Sequence, residues 1–78
     1  MEKIMDHMER SRLSIEKTGN LLNVFVPNAF EKEVFEKARA YLSDSKHFFG
    51  KEDYFSSFGA SDYAYGLVEA LIMTRGKR

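Results

Sequence analysis

The chain has no cysteine among its 78 residues. Disulfide staples, thiolate metal centres and thiol nucleophiles are therefore excluded, and a reducing compartment is permitted. It also has no excess of charge, because 12 Lys and Arg balance 12 Asp and Glu. No whole-chain field draws it to phosphate backbones or anionic lipid, so nucleic acid is a disfavoured partner. No apolar run approaches the ~18 residues of a membrane span. The opening stretch mixes charges with apolar residues at helical spacing and lacks the apolar core of a signal peptide. A cytoplasmic protein is the expectation. Also missing are a Gly-rich phosphate loop before a helix, a nucleophile-elbow serine, and a basic stripe alternating with exposed aromatics.

What the chain does have is aromatic bulk, with seven Phe and four Tyr. A domain of this size buries only about 60% of the surface its unfolded chain exposes. A dense aromatic core is the expected compensation, since each ring can bury roughly 150–250 Å².

Three helical patterns run along the sequence. Ile4, Met8, Ser11, Ile15, Thr18 and Leu22 recur at spacings of three and four, the stripe of an amphipathic helix. Gly19 interrupts it, yet the stripe continues, so the first helix is placed at about 2–23. The alternative is an extended connector from Leu21 to Val26. Pro27-Asn28 breaks the pattern, and Asn28 with Glu31 has the spacing of a capping box. The second helix then covers about 29–49, with Phe30, Val34, Ala38, Tyr41, Leu42, Ser45, Phe48 and Phe49 on one face. Gly50 is the expected left-handed stop, and Asp53 the expected N-cap of a third helix over about 53–75.

So short a turn forces helices two and three into an antiparallel hairpin. Helix three carries few charges. It presents Tyr54, Phe58, Tyr65, Val68 and Ile72 to one side and Ala60, Ala64, Leu67 and Leu71 to another, enough to meet both other helices. The expected fold is all-α, a single-domain three-helix bundle with a central third helix. Arg75, Lys77 and Arg78 close the chain, where positive charge complements a helix C-terminus.

The residues Tyr41, Ser43-Asp44, Lys46, Phe48-Phe49, Asp53-Tyr54, Tyr63-Ala64-Tyr65-Gly66 and Ala70 resemble short archaeal proteins grouped as domain of unknown function 357. The likeness covers roughly the last half of the chain. Relatives have Gly-Asp-Tyr at the turn, whereas here Lys51-Glu52 separates Gly50 from Asp53. Asp62 replaces their Ser, and Leu67-Val68-Glu69 replaces their Trp-Leu-Asp. The resemblance implies a helical fold with no assigned activity. A fainter likeness runs to tetratricopeptide hairpins and to HEPN domains. The HEPN ribonuclease signature, an Arg five to seven positions before a His, is absent: Arg39 stands eight before His47, and His7 has no upstream Arg.

Candidate chemistry is sparse. Asp44 and His47 share an edge of helix two, but two ligands do not make a metal site. Asp44 is better read as the acceptor for a buried Tyr65 hydroxyl, a structural polar pair. Asp62 and Glu69 lie two helical turns apart, about 10.5 Å along the axis, too far for a retaining carboxylate pair. No catalytic residue, metal or cofactor is implied.

The side of helix three that carries these acids also holds Phe55, Gly59, Gly66, Ala70 and Met73. Helix glycines cost stability unless close packing returns it, so this strip reads either as packing against helix one or as a face for another molecule. The function expected is a protein-interaction or self-association module without catalysis, possible as a homodimer or with an unidentified protein partner. The alternative is an RNA-associated or nuclease-like helical accessory domain.

Overall fold

The computed structural model describes residues 2–76, with side chains from Asp6 onward. Ile4 of the first stripe and the basic residues Lys77 and Arg78 thus lie outside the described side chains. Three helices make the fold: α1 (Glu2–Val24), α2 (Lys32–Gly50) and α3 (Tyr54–Gly76). α3 packs extensively on both α1 and α2, which touch one another far less. The result is an all-α bundle with α3 at its centre.

α1 passes unbroken through Gly19, where an added Cβ would lie 3.9 Å from Leu42. The chain then crosses Pro27 into a turn ahead of α2. Asn28 Oδ1 accepts the backbone N–H groups of Phe30 and Glu31 at 2.9 and 3.0 Å, while Glu31 Oε1 accepts the Asn28 N–H at 2.9 Å. This reciprocal pair is a capping box. Regular α-helix starts only at Lys32, because residues 29–31 form the tighter turn that the box encloses.

The α2–α3 turn departs from expectation. Gly50 is the last helical residue and has no positive φ; the left-handed residue is Glu52, with φ 63°. Asp53 N–H donates to Phe48 O at 2.9 Å and Glu52 N–H to Phe49 O at 3.0 Å. These 6→1 and 5→2 bonds define a Schellman motif whose αL position normally holds glycine. The glycine is displaced by two residues, and hydrogen-bond geometry, not local propensity, selects the residue that turns left-handed. Asp53 then caps α3, its Oδ1 accepting the Ser56 N–H at 3.2 Å.

The core corrects the aromatic expectation. The buried apolar residues are Leu22, Phe25, Phe35, Ala38, Leu42, Ala64 and Val68. Phe25 and Phe35 stack at 5.7 Å, but Phe30 and Phe55 are 88% and 83% exposed. Much of the remaining seam is built from hydroxyls, because Ser11, Ser14, Thr18, Ser45, Ser57 and Ser61 are all buried. Ser45 Oγ donates to Ser57 O at 2.5 Å, and Ser57 Oγ returns a bond to Ser45 O at 2.8 Å. On the other flank Thr18 Oγ1 donates to Ser61 O at 3.1 Å, and the Ser14 and Ser61 hydroxyls meet at 2.6 Å. Since Ser61 Oγ donates to Phe58 O, Ser14 supplies the shared proton. Reciprocation matters, because a buried hydroxyl without a partner costs about 1–3 kcal/mol. Among the described residues Ser11 Oγ alone is buried without a partner.

The turn yields a direct test. Glu52→Gly removes the Cβ strain of the αL conformation, roughly 1–2 kcal/mol, against a smaller entropic cost in the unfolded chain. A thermal melt of the variant is expected to show a midpoint several degrees above the parent; an equal or lower midpoint would contradict the strain.

Candidate functional site: the outer face of α3

α3 is apolar nearly all round, and the bundle uses only part of its circumference. Ser57, Ser61, Ala64 and Val68 form its buried line. Tyr63 meets Tyr41 of α2 edge to face at 4.6 Å on one flank. Tyr65 lies under Lys17 of α1, whose Nζ sits 4.2 Å from the ring centroid, on the other. Opposite the buried line lie Phe55, Gly59, Asp62, Gly66, Glu69, Ala70 and Met73, and each is exposed. Their angular spread follows from the helical period of 3.6 residues.

The glycines decide how this face is read. A Cβ built at Gly59 or at Gly66 would meet nothing within 4 Å among the described residues. Among the described residues, close packing against α1 is therefore not the reason for either glycine. Both sit mid-helix, where each costs about 1 kcal/mol relative to Ala. The strip is flanked by Phe55 and by Met73, which is 66% exposed. It also carries the two acids Asp62 and Glu69.

The C-terminal end of α3 is anchored by contacts that sequence reading did not foresee. Glu31, only 2% exposed, receives Arg75 Nε at 2.7 Å on Oε2, and Arg75 Nη2 on Oε1. Arg75 Nη2 also donates to Val26 O at 2.5 Å, and its guanidinium lies 4.3 Å above the Phe25 ring. Hydrogen bonding to Glu31 holds the Arg75 guanidinium above its ordinary pKa. One carboxylate therefore caps the start of α2 and fixes the last turn of α3. Arg75 stands in the last turn of α3, as expected of a residue that complements a helix C-terminus, and adds this bridge, whose partners are 44 residues apart.

Other expected groupings do not form. Asp44 is exposed, and among the described residues no hydrogen bond joins it to Tyr65. The reason is angular. Tyr41 and Tyr63 occupy the α2 flank of α3, whereas Tyr65 turns toward α1. Asp44 and His47 both lie exposed on α2. Among the described residues no three His, Cys, Asp or Glu gather as a metal would require. No described helix is long and apolar enough to cross a membrane.

The family described as protein of unknown function (DUF357) matches residues 5–76, nearly the whole chain. The chain belongs to DUF357. The match extends well beyond the C-terminal half in which the resemblance was legible, and takes in nearly all of α1. No curated protein and no solved structure matches the chain. The DUF357 description assigns no activity.

The Glu31 bridge gives a prediction. Glu31→Gln preserves shape but removes the charge that accepts from Arg75 and from the Asn28 N–H, at a cost of roughly 1–3 kcal/mol. Urea denaturation should show this loss with an unchanged m-value; an unaltered midpoint would mean that the carboxylate contributes shape alone.

Proposed function

We propose that this DUF357 protein is a docking module that carries no chemistry of its own, and that the outer face of α3 is the surface it offers. The observation behind this reading is the pair of mid-helix glycines, Gly59 and Gly66, with open space where each Cβ would go. Within one copy they lower helix stability, and among the described residues no contact compensates for it. A second helix laid along the strip would provide that compensation, because small residues let backbones approach closely. Phe55 and Met73 would supply apolar anchors at either end.

The test separates folding from docking. Gly66→Ala should stabilise the isolated chain by about 1 kcal/mol through helix propensity alone. Gly66→Leu should leave the fold intact, since its side chain projects into open space, yet abolish association in light scattering across a wide concentration range. Unchanged association of Gly66→Leu, with itself and with any captured protein, would remove the strip from the interface.

A second reading, an RNA-associated accessory domain, draws support from the α1–α3 edge. Two adjoining clefts there, of 250 and 290 Å³, share Arg10 and Phe58, with His7 and Phe55 beside one and Lys17 beside the other. Cations on α1 thus run alongside aromatic rings on α3, a pairing that suits stacked single-stranded bases. The arrangement escapes sequence reading because its two halves lie on different helices. Fluorescence anisotropy with a single-stranded RNA oligonucleotide should then show salt-sensitive binding that Arg10→Glu with Lys17→Glu removes; no binding at low salt would dismiss this reading.

A further inference from the structure

A groove of 530 Å³ runs between α1 and α2 on the side of the bundle away from α3, floored by Leu22, Phe35 and Leu42 and bordered by Arg39 and Lys46. It continues past Lys46 into a smaller cleft of 280 Å³ that reaches Phe49. Among the described residues no carboxylate lines either. Arg39 has Glu36 of its own helix at 3.8 Å, a solvent-exposed pair that is worth little.

Two seven-residue series face away from each other on the same molecule. In the groove the apolar series is Phe35, Leu42, Phe49 and the cations are Arg39 and Lys46. On the outer face of α3 the corresponding series is Gly59, Gly66, Met73 and the acids are Asp62 and Glu69. Laid antiparallel, the two series align at every level. Asp62 stands level with Lys46 and Glu69 with Arg39, while Gly59 meets Phe49, Gly66 meets Leu42 and Met73 meets Phe35. Each glycine faces a large side chain and each acid faces a cation, as a heptad seam with charged flanks requires. Reversing the helix direction keeps the charges matched but sets Gly59 against Glu36 and Gly66 against Ser43.

We propose that the outer face of α3 docks into the α1–α2 groove of a second copy of this chain, antiparallel to α2. The inference rests on the docking role assigned to that face and names its occupant. Docking completes a four-helix layer at each junction and supplies the contacts that Gly59 and Gly66 lack among the described residues of one copy. Because face and groove lie on opposite sides of one molecule, the junction is heterologous, and assembly continues into a ring or an open chain. A two-fold α3–α3 pairing centred on Gly66 is the competing arrangement. It brings Asp62 within one residue's rise, about 1.5 Å along the axis, of Glu69 of the other copy, and like charges so placed are unfavourable.

Charge reversal tests the pairing on the full chain. One variant carries Asp62→Lys with Glu69→Lys, the other Arg39→Glu with Lys46→Glu; all four positions are exposed, and circular dichroism verifies that both fold. The parent is expected to grow beyond a dimer as concentration rises. Each variant alone, with face and groove of the same sign, should associate at least about tenfold more weakly. An equimolar mixture should regain the parent's assembly, because each face then meets a groove of opposite sign. Growth that stops at a dimer, variants that associate as the parent does, or a mixture that stays at 9.0 kDa would overturn the pairing. Association that Gly66→Leu abolishes but charge reversal leaves untouched would overturn this partner while retaining the docking face. A parent that stays at 9.0 kDa throughout would overturn pairing between copies and leave the face to a different protein.

Discussion

The bundle depends on α3 approaching two helices at once. A central helix can do this only if the line it presents to both is narrow, and that line is Ser57, Ser61, Ala64 and Val68. Narrow residues bring backbones together but bury little apolar area. Hydroxyls fill this role because each can satisfy itself on the facing backbone. The Ser45–Ser57 exchange clasps α2, and the Thr18 and Ser14 bonds to Ser61 clasp α1. Such bonds add about 0.5–1.5 kcal/mol each, so their larger effect is to fix register, since a slipped helix would strand the hydroxyls unpaired. The aromatic bulk, displaced from this seam, gathers on the flanks and at the surface.

Much of this architecture is legible in the sequence wherever the deciding interaction is local. Asn28 and Glu31 are three residues apart and meet whenever the chain turns there. Asp53 needs only the amide of Ser56. Stripes at spacings of three and four identify the helices, and a short turn dictates the hairpin. Hydropathy places Ser45 and Thr18 on buried stripes by position, but it gives no sign that Ser14, Ser57 and Ser61 are buried too, because their partners come from other helices. The same reason hides the Arg75–Glu31 bridge. The left-handed turn at Glu52 is hidden by a different one, since a nearby Gly50 offers the lower-strain choice and the hydrogen-bond pattern does not take it. The outer strip of α3 is readable as a strip, whereas only the structure shows that the described residues of α1 leave open space above its glycines.

The same economy shapes the surface. A helix with apolar or small residues around most of its circumference and only one narrow line consumed by the core must expose the remainder. In α3 that remainder is graded: aromatic at Phe55, small through Gly59, Gly66 and Ala70, flexible at Met73, with acids spaced along it. Fold and exposed face thus follow from one requirement, the close approach on the opposite side.

The Glu31 bridge has a consequence for how the molecule opens. Ordinarily the first turn of one helix and the last turn of another fray independently, each with its own small free energy. Here a single carboxylate is common to both, and Arg75 also holds the Val26 carbonyl and the Phe25 ring in the connection between α1 and α2. Loosening the end of α3 therefore strips the start of α2 of part of its fixed geometry, and the reverse holds equally. The two segments, 44 residues apart along the chain, form one cooperative opening unit at that end of the bundle, with the Met73 end of the outer strip beside it.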